Sequence, residues 1–167
     1  MPSSSQNNNS FNIDARIINS FLTGTLGSFK EMVRIEPSVG RPVITSDSTN
    51  HRWEVSGAIE ITGEFEGMIA LRLPSVLAEK ILEKRGTPIL NQAERQNLIR
   101  KFVDRLIQKV SEKAAAELSG YDISIIPPYT VYGKNHKINW PADNPIIGVT
   151  LRTSMGSFEL ATSIYKS

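Results

Sequence analysis

The hydrophobic pattern along the chain changes period several times, and each change marks an element. Between residues 91 and 118, Leu98, Ile99, Phe102, Val103, Leu106, Ile107, Val110 and Ala114 recur at steps of three and four. That spacing puts them on one stripe of a helix and turns the stripe toward a core. The other side carries Glu94, Arg95, Arg100, Lys101, Asp104, Arg105, Gln108, Lys109 and Glu112. Asn91, with Glu94 three residues on, predicts an N-cap with a capping-box partner. Gly120 predicts a left-handed residue closing the helix. This is the longest helical pattern in the sequence and is expected to be the spine of the fold. An earlier helix is predicted over residues 13–33, with Asn12 as cap and Ile13, Ile17, Phe21, Leu22, Leu26, Phe29, Met32 and Val33 as its stripe. Gly24 and Gly27 lie inside it, each costing roughly 1 kcal/mol relative to alanine, so both read as places of close helix packing.

Elsewhere the period is two. A short strand is predicted at residues 42–45. Trp53, Val55, Ile59 and Ile61 then alternate with polar residues. Thr62, Gly63 and Glu64 read as a turn into a returning strand, Phe65 to Leu73, whose apolar residues on both faces predict a central position. Pro74 and Ser75 open a short helix that runs to Lys84 and is closed by Gly86 and Pro88. After the long helix, Ile123–Ile126 and Tyr129–Tyr132 flank Pro127 and Pro128, which confines that segment to an edge or a kink. Ile146–Leu151 and Phe158–Ile164 form a closing hairpin around Ser154 to Ser157. The order predicts an α+β layered domain, with helices packed on a mostly antiparallel sheet. Residues 1–12 are expected to be a disordered Ser/Asn tail and residues 13–167 a single domain.

Composition narrows the chemistry. An apolar fraction of 40% suffices for a core, and the absence of cysteine excludes thiol catalysis, disulfides and Cys-ligated zinc. No apolar run approaches the roughly 18 residues of a membrane span, and the N-terminus has neither the basic nor the apolar region of a signal peptide. A soluble cytoplasmic protein is expected, with no membrane contact. A net charge of +2 gives no footprint for nucleic acid. The local basic run from Arg95 to Lys113 reads either as a solvated helix face or as a surface for an acidic partner.

Candidate sites are few. The two histidines, His51 and His136, lack neighbouring ligands at metal spacing, so no metal site is predicted. Nucleotide-cradling glycine motifs and a nucleophile elbow are both missing. Glu94 and Asn97 stand one helical turn apart, a spacing able to orient a water at a phosphoryl group; capping alone also explains Glu94. Trp53 and Trp140 read as packing aromatics, and Lys134, Asn135 and His136 as a solvated hairpin turn.

Several stretches together resemble a known family. They are IDARIINSFLTGTLGSFKEMVRIEPSVGRP, VSGAIEITGEFEGMIALRLPSVLAEKIL, the long helix running into GYDI, IPPYTVYGKNHKI, and the terminal GSFELATSI. In order and spacing, from about residue 13 to the end, they are similar to CheX of the CheC/CheX/FliY group of bacterial chemotaxis phosphatases. The resemblance implies a CheC/CheX-like fold and a homodimer formed through sheet edges. It implies a partner, the phosphorylated response regulator CheY, dephosphorylated by a Glu-x-x-Asn pair on the long helix. In that mechanism the Asn amide orients the hydrolytic water and the Glu pairs with a lysine of the regulator. No cofactor belongs to the phosphatase; the Mg²⁺ is the regulator's.

At that pair the sequence departs from the family. Aligning the apolar stripe and helix end puts Arg105 at the acid and Gln108 at the amide; counting back from Pro127 without gaps puts Val103 and Leu106 there. In the first register Gln108 keeps an amide on a longer arm, while Arg105 presents a like charge to the regulator's lysine. Asp104, one position away, could supply a carboxylate only after a rotation of about 100°. The Glu94/Asn97 pair lies two to three turns too early to be equivalent. Three readings follow: a regulator-binding protein without hydrolysis, an active phosphatase using Gln108 and Asp104, or a scaffold in a signalling or flagellar assembly.

Overall fold

A computed structural model describes residues 3–46, 53–88 and 91–167, with side chains described from residue 15 onward. In chain order the elements are α1 (Ser3–Val33), β1 (Ser38–Val39), β2 (Val43–Thr45), β3 (Val55–Gly63), β4 (Phe65–Leu73), α2 (Ser75–Lys84), α3 (Gln92–Glu117), β5 (Ile123–Ile125), β6 (Tyr129–Tyr132), β7 (Ile146–Thr153) and β8 (Gly156–Lys166). Helix α1 begins ahead of the residue 13 start that its apolar stripe gives. The Asn12 cap and Ile13 lie outside the described side chains.

All strand pairs are antiparallel, and the sheet order is β1-β7-β8-β4-β3-β5, with β2 also on β7 and β6 also on β3. Strand β4 is interior, as its two apolar faces predict. The Pro127-Pro128 pair interrupts what would otherwise be one edge strand, so β5 and β6 pair with β3 on either side of it. Gly63 makes the β3–β4 turn at φ +113°, a conformation natural to glycine. The β7–β8 turn is tighter than the predicted four-residue loop, because pairing continues as far as Thr153 opposite Gly156.

The helices cover one face of the sheet. Ile17, Phe21, Phe29 and Val33 of α1, and Ile99, Phe102, Val103, Leu106, Ile107, Val110 and Ala114 of α3, close over Val55, Ile59, Ile61, Ile69, Leu71 and Leu160. Phe29 stacks on Phe158 at 4.9 Å between ring centroids. The α1–α3 contact is close because Gly24 has no side chain: a Cβ there would stand 3.2 Å from the Val110 carbonyl oxygen. Beneath α3, Gly57 of β3 does the same, since a Cβ would meet the Ile107 Cβ at 2.7 Å. On the other face, a smaller cluster of Ala58, Met68, Ala70 and Ile138 is covered by Val131 and Trp140.

Asn91 caps α3 as predicted, its side-chain oxygen accepting from the Glu94 N–H at 2.8 Å. The other end differs from expectation. Gly120 is not left-handed; the helix closes through the Leu118 N–H bonding to the Ala114 carbonyl, followed by a turn from Leu118 to Tyr121. The buried Leu118 side chain anchors that end, so no glycine cap is needed.

Gly57→Ala forces Ile107 or the whole of α3 outward, and overpacking of this kind costs about 1–3 kcal/mol. Gly120→Ala, with nothing within 4 Å of the added methyl, stays within about 0.5 kcal/mol. Urea denaturation of the two variants checks the contrast; equal midpoints would contradict the seating of α3 on Gly57.

Candidate functional site: the outer face of α3

The seating of α3 settles which of its side chains face out. Ile107 stands over Gly57, so Leu106, Ile107 and Val110 point into the core, and Asp104, Arg105 and Gln108 are exposed. Arg105 and Gln108 are one turn apart and make no side-chain hydrogen bond or ion pair among the described residues. Asp104 sits on the flank toward the sheet edge, where its carboxylate accepts a hydrogen bond from the Thr130 hydroxyl of β6. The three residues are therefore neighbours with unequal freedom: two reach solvent unhindered and one is held.

The basic run is narrower than the sequence suggests. Lys109 and Lys113 both donate to Glu31 of α1, at 3.2 and 2.7 Å. Arg95 pairs with Glu79 of α2 at 2.8 Å. Among the described residues, the basic residues of α3 left without an acidic partner are Arg100, Lys101 and Arg105, which the helical period places along one exposed strip with Asn97 and Gln108. Glu31 answers this arrangement: its hydrogen bond from Lys113, then that from Lys109, holds its carboxyl below the ordinary range. A shallow depression of about 230 Å³ adjoins the strip, lined by Ala93, Gln96, Asn97, Arg100 and Tyr132. Burial, followed by the charges of Glu54 and Glu79, pushes the Tyr132 phenol up.

In the first turns Asn97 is exposed and Glu94 half-buried, with Glu94 engaged through its backbone in the cap. His51 lies outside the described residues. His136 corrects the expectation of a solvated turn. It is half-buried, with Nδ1 2.7 Å from the Gly133 carbonyl and Nε2 2.7 Å from the buried Ser56 hydroxyl. Because the carbonyl can only accept, Nδ1 carries a proton, and in the neutral ring Nε2 accepts from the Ser56 hydroxyl. Trp53 is buried, and Trp140 packs over the back of the sheet with Arg72 5.8 Å from its ring centroid; both are packing aromatics as predicted. No group of three or more metal-capable side chains occurs among the described residues.

The sequence profile described as chemotaxis phosphatase CheX matches residues 55–152, which include α3 and the strands beneath it. The chain belongs to the CheX family. Solved structures agree in fold. A CheC-like superfamily protein from Shewanella sp. PV-4 superimposes with TM-score 0.75 at 25% identity, over 90% of this chain and 97% of that one. The chemotaxis protein CheX of Desulfovibrio desulfuricans gives 0.75 at 23%, over 89% and 99%. The CheX–CheY–BeF3–Mg²⁺ complex of Borrelia burgdorferi gives 0.72 at 18%, over 89% and 97%. No curated protein matches the chain. No described helix is long and apolar enough to cross a membrane.

For a CheX-family chain, the two registers of the Glu-x-x-Asn pair differ sharply in where they lead. Val103 and Leu106 are both 0% exposed and cannot meet a partner. Arg105 and Gln108 are in solvent. Two residues that shape this face escaped sequence reasoning: Thr130, which restrains Asp104, and Glu31, which neutralises two lysines. Neither carries a local signal, since each acts on a residue far along the chain.

The lowered Glu31 carboxyl sets a pH dependence. A depressed acid stabilises the fold at pH above its unfolded value and loses that contribution as pH falls through the folded value. Wild type and Glu31→Gln should therefore differ in Tm at neutral pH and converge on acidification below about pH 4. A gap that is constant with pH would contradict the pairing.

Proposed function

We propose that this CheX-family chain binds a phosphorylated response regulator of CheY type through the exposed face of α3, and hydrolyses its acyl phosphate poorly. The observation that carries the reading is the exposure of Arg105 and Gln108 with Val103 and Leu106 fully buried. A regulator meeting this face encounters Arg105 where the family pattern has an acid. Its active-site lysine is then repelled rather than paired. Gln108 keeps the amide needed to orient a water, but on an arm longer by one methylene, and positioning is most of what a phosphatase of this kind contributes.

Asp104 is the other candidate acid, and Thr130 argues against it. To serve as the ionic contact, its carboxylate must leave the Thr130 hydroxyl and swing about 100° around the helix. The Borrelia burgdorferi complex, with beryllofluoride and Mg²⁺ beside CheX and CheY, supports a regulator that brings its own metal, so this chain needs none. Arg100, Lys101 and Arg105 would steer an acidic regulator surface, an effect that weakens with added salt. The reading carries with it a cytoplasmic location.

A homodimer through sheet edges completes the proposal. Strands β1 and β2 form one edge, where Val39, Val43 and Ile44 are 46%, 56% and 76% exposed. Apolar side chains on an unpaired edge favour pairing with another strand. Ile44→Lys should shift the chain from dimer to monomer in light scattering; a wild-type monomer would remove the dimer from the proposal.

The regulator reading is tested with a purified CheY-type regulator. Beryllofluoride and Mg²⁺ should raise its affinity for the chain, and the wild-type chain should speed acyl-phosphate loss less than about tenfold, where intact positioned groups achieve far more. Arg105→Glu with Gln108→Asn should raise that rate. Strong hydrolysis by wild type, abolished by Gln108→Ala, would establish the active-phosphatase reading instead. Absence of affinity in both regulator states would leave the scaffold reading.

A further inference from the structure

The face of the sheet turned away from the helices holds a second concavity, remote from the α3 strip. A cavity of about 270 Å³ is lined by Glu60, Thr62, Glu66, Met68, Trp140 and Tyr165, among others. Strand register explains why they converge. Glu60 stands opposite Met68 and Glu66 opposite Tyr165, so adjacent positions of β3, β4 and β8 point to one side. The segment after β6 then lays Trp140 against the Met68 cluster as a wall.

Its electrostatics are one-sided. Neither Glu60 nor Glu66 forms an ion pair among the described residues; Glu66 accepts only the Tyr165 hydroxyl, at 2.8 Å. Arg72, on the same face, is committed to Glu159 at 2.6 Å. Two phenols on this side of the sheet are shifted. The Tyr165 hydroxyl is pushed up first by its hydrogen bond to Glu66, and that of Tyr129 first by burial and then by the charge of Glu60. Two carboxylates beside aromatic and thioether surface suit a cation with an apolar stem. Carboxylates accept charge-assisted hydrogen bonds, and rings and thioether cover methylenes. A hard divalent ion suits the cavity poorly, since it requires about six or more oxygen ligands.

We propose that this cavity binds an organic cation, an alkylguanidinium or alkylammonium group, with Glu60 and Glu66 as counter-charges and Trp140, Tyr165 and Met68 packing its alkyl chain. The site does not depend on the regulator contact, because no residue of α3 lines it.

The test is titration of the full chain at low ionic strength with agmatine and, separately, with N-acetyl-arginine amide, followed by calorimetry and tryptophan emission. Saturable binding of either probe is expected. Glu60→Gln with Glu66→Gln should weaken it about tenfold or more, as loss of charge-assisted hydrogen bonds does, with Tm unchanged. Tighter binding of agmatine identifies a free small cation as the ligand; tighter binding of the arginine amide identifies a basic side chain of a partner protein. Absence of saturation with both probes, equal binding by the double variant, or a response to CaCl2 in place of the organic cations overturns the proposal.

Discussion

The contact between Ile107 and the bare backbone of Gly57 governs this molecule. A helix resting on a sheet is ordinarily held off by the side chains of both, yet here a Cβ at residue 57 would lie 2.7 Å from the Ile107 Cβ. The absent methyl lets α3 settle onto β3, and Gly24 lets α1 settle against α3 from the side. With both distances fixed, the rotation of α3 about its own axis has little freedom, because close-packed cores resist shifts of even one methylene. That rotation selects the residues a partner can touch. Arg105 and Gln108 are outside for the same reason that Leu106 and Ile107 are inside.

The charges around α3 follow from its neighbours more than from its own sequence. Glu31 reaches across from α1 to Lys109 and Lys113, and Glu79 reaches from α2 to Arg95. Exposed pairs of this kind add little to stability, but they change what a partner experiences. A helix rich in lysine and arginine presents a short positive strip, Arg100 to Arg105, bounded by neutralised ends. Thr130 has a comparable influence on Asp104. A carboxylate already bonded to a hydroxyl must be desolvated and released before it can engage anything else, and that cost is set by β6, not by α3.

The two faces of the sheet divide the chemistry. The helix-covered face is mostly apolar, with Thr162 buried on β8 and Thr130 at the β6 edge, whereas the opposite face buries Ser56, Arg72, Glu159 and Ser163 on the side where His136, Ile138 and Trp140 pack. The four buried polar residues named are paired, Ser56 with His136, Arg72 with Glu159 and Ser163 with Asn144, while the buried indole N–H of Trp140 has no partner among the described residues. Paired in this way, the groups avoid the heavy cost of unsatisfied burial. The segment over them is thereby held, and its Trp140 becomes a fixed wall of the acidic cavity.

Much of this was legible in the chain. Period-three-and-four stripes gave α1 and α3, two-sided apolar runs gave a central β4, and Asn91 marked the start of α3, because helix caps and strand faces are local consequences of side-chain chemistry. The sequence also supplied both candidate registers for the family pair. Its apolar stripe already turned Val103 and Leu106 inward and Arg105 and Gln108 outward, but it could not say how closely α3 is seated or which outward side chains stay free. Tertiary packing decided that, through a glycine some fifty residues away in β3 that seats Ile107, and through Thr130 and Glu31, which engage Asp104, Lys109 and Lys113. His136 and Gly120 show the same limit from the other side: one found a buried serine and the other was never needed as a cap. Local pattern determines what each segment can become; long-range contacts determine which of its faces is left for a partner.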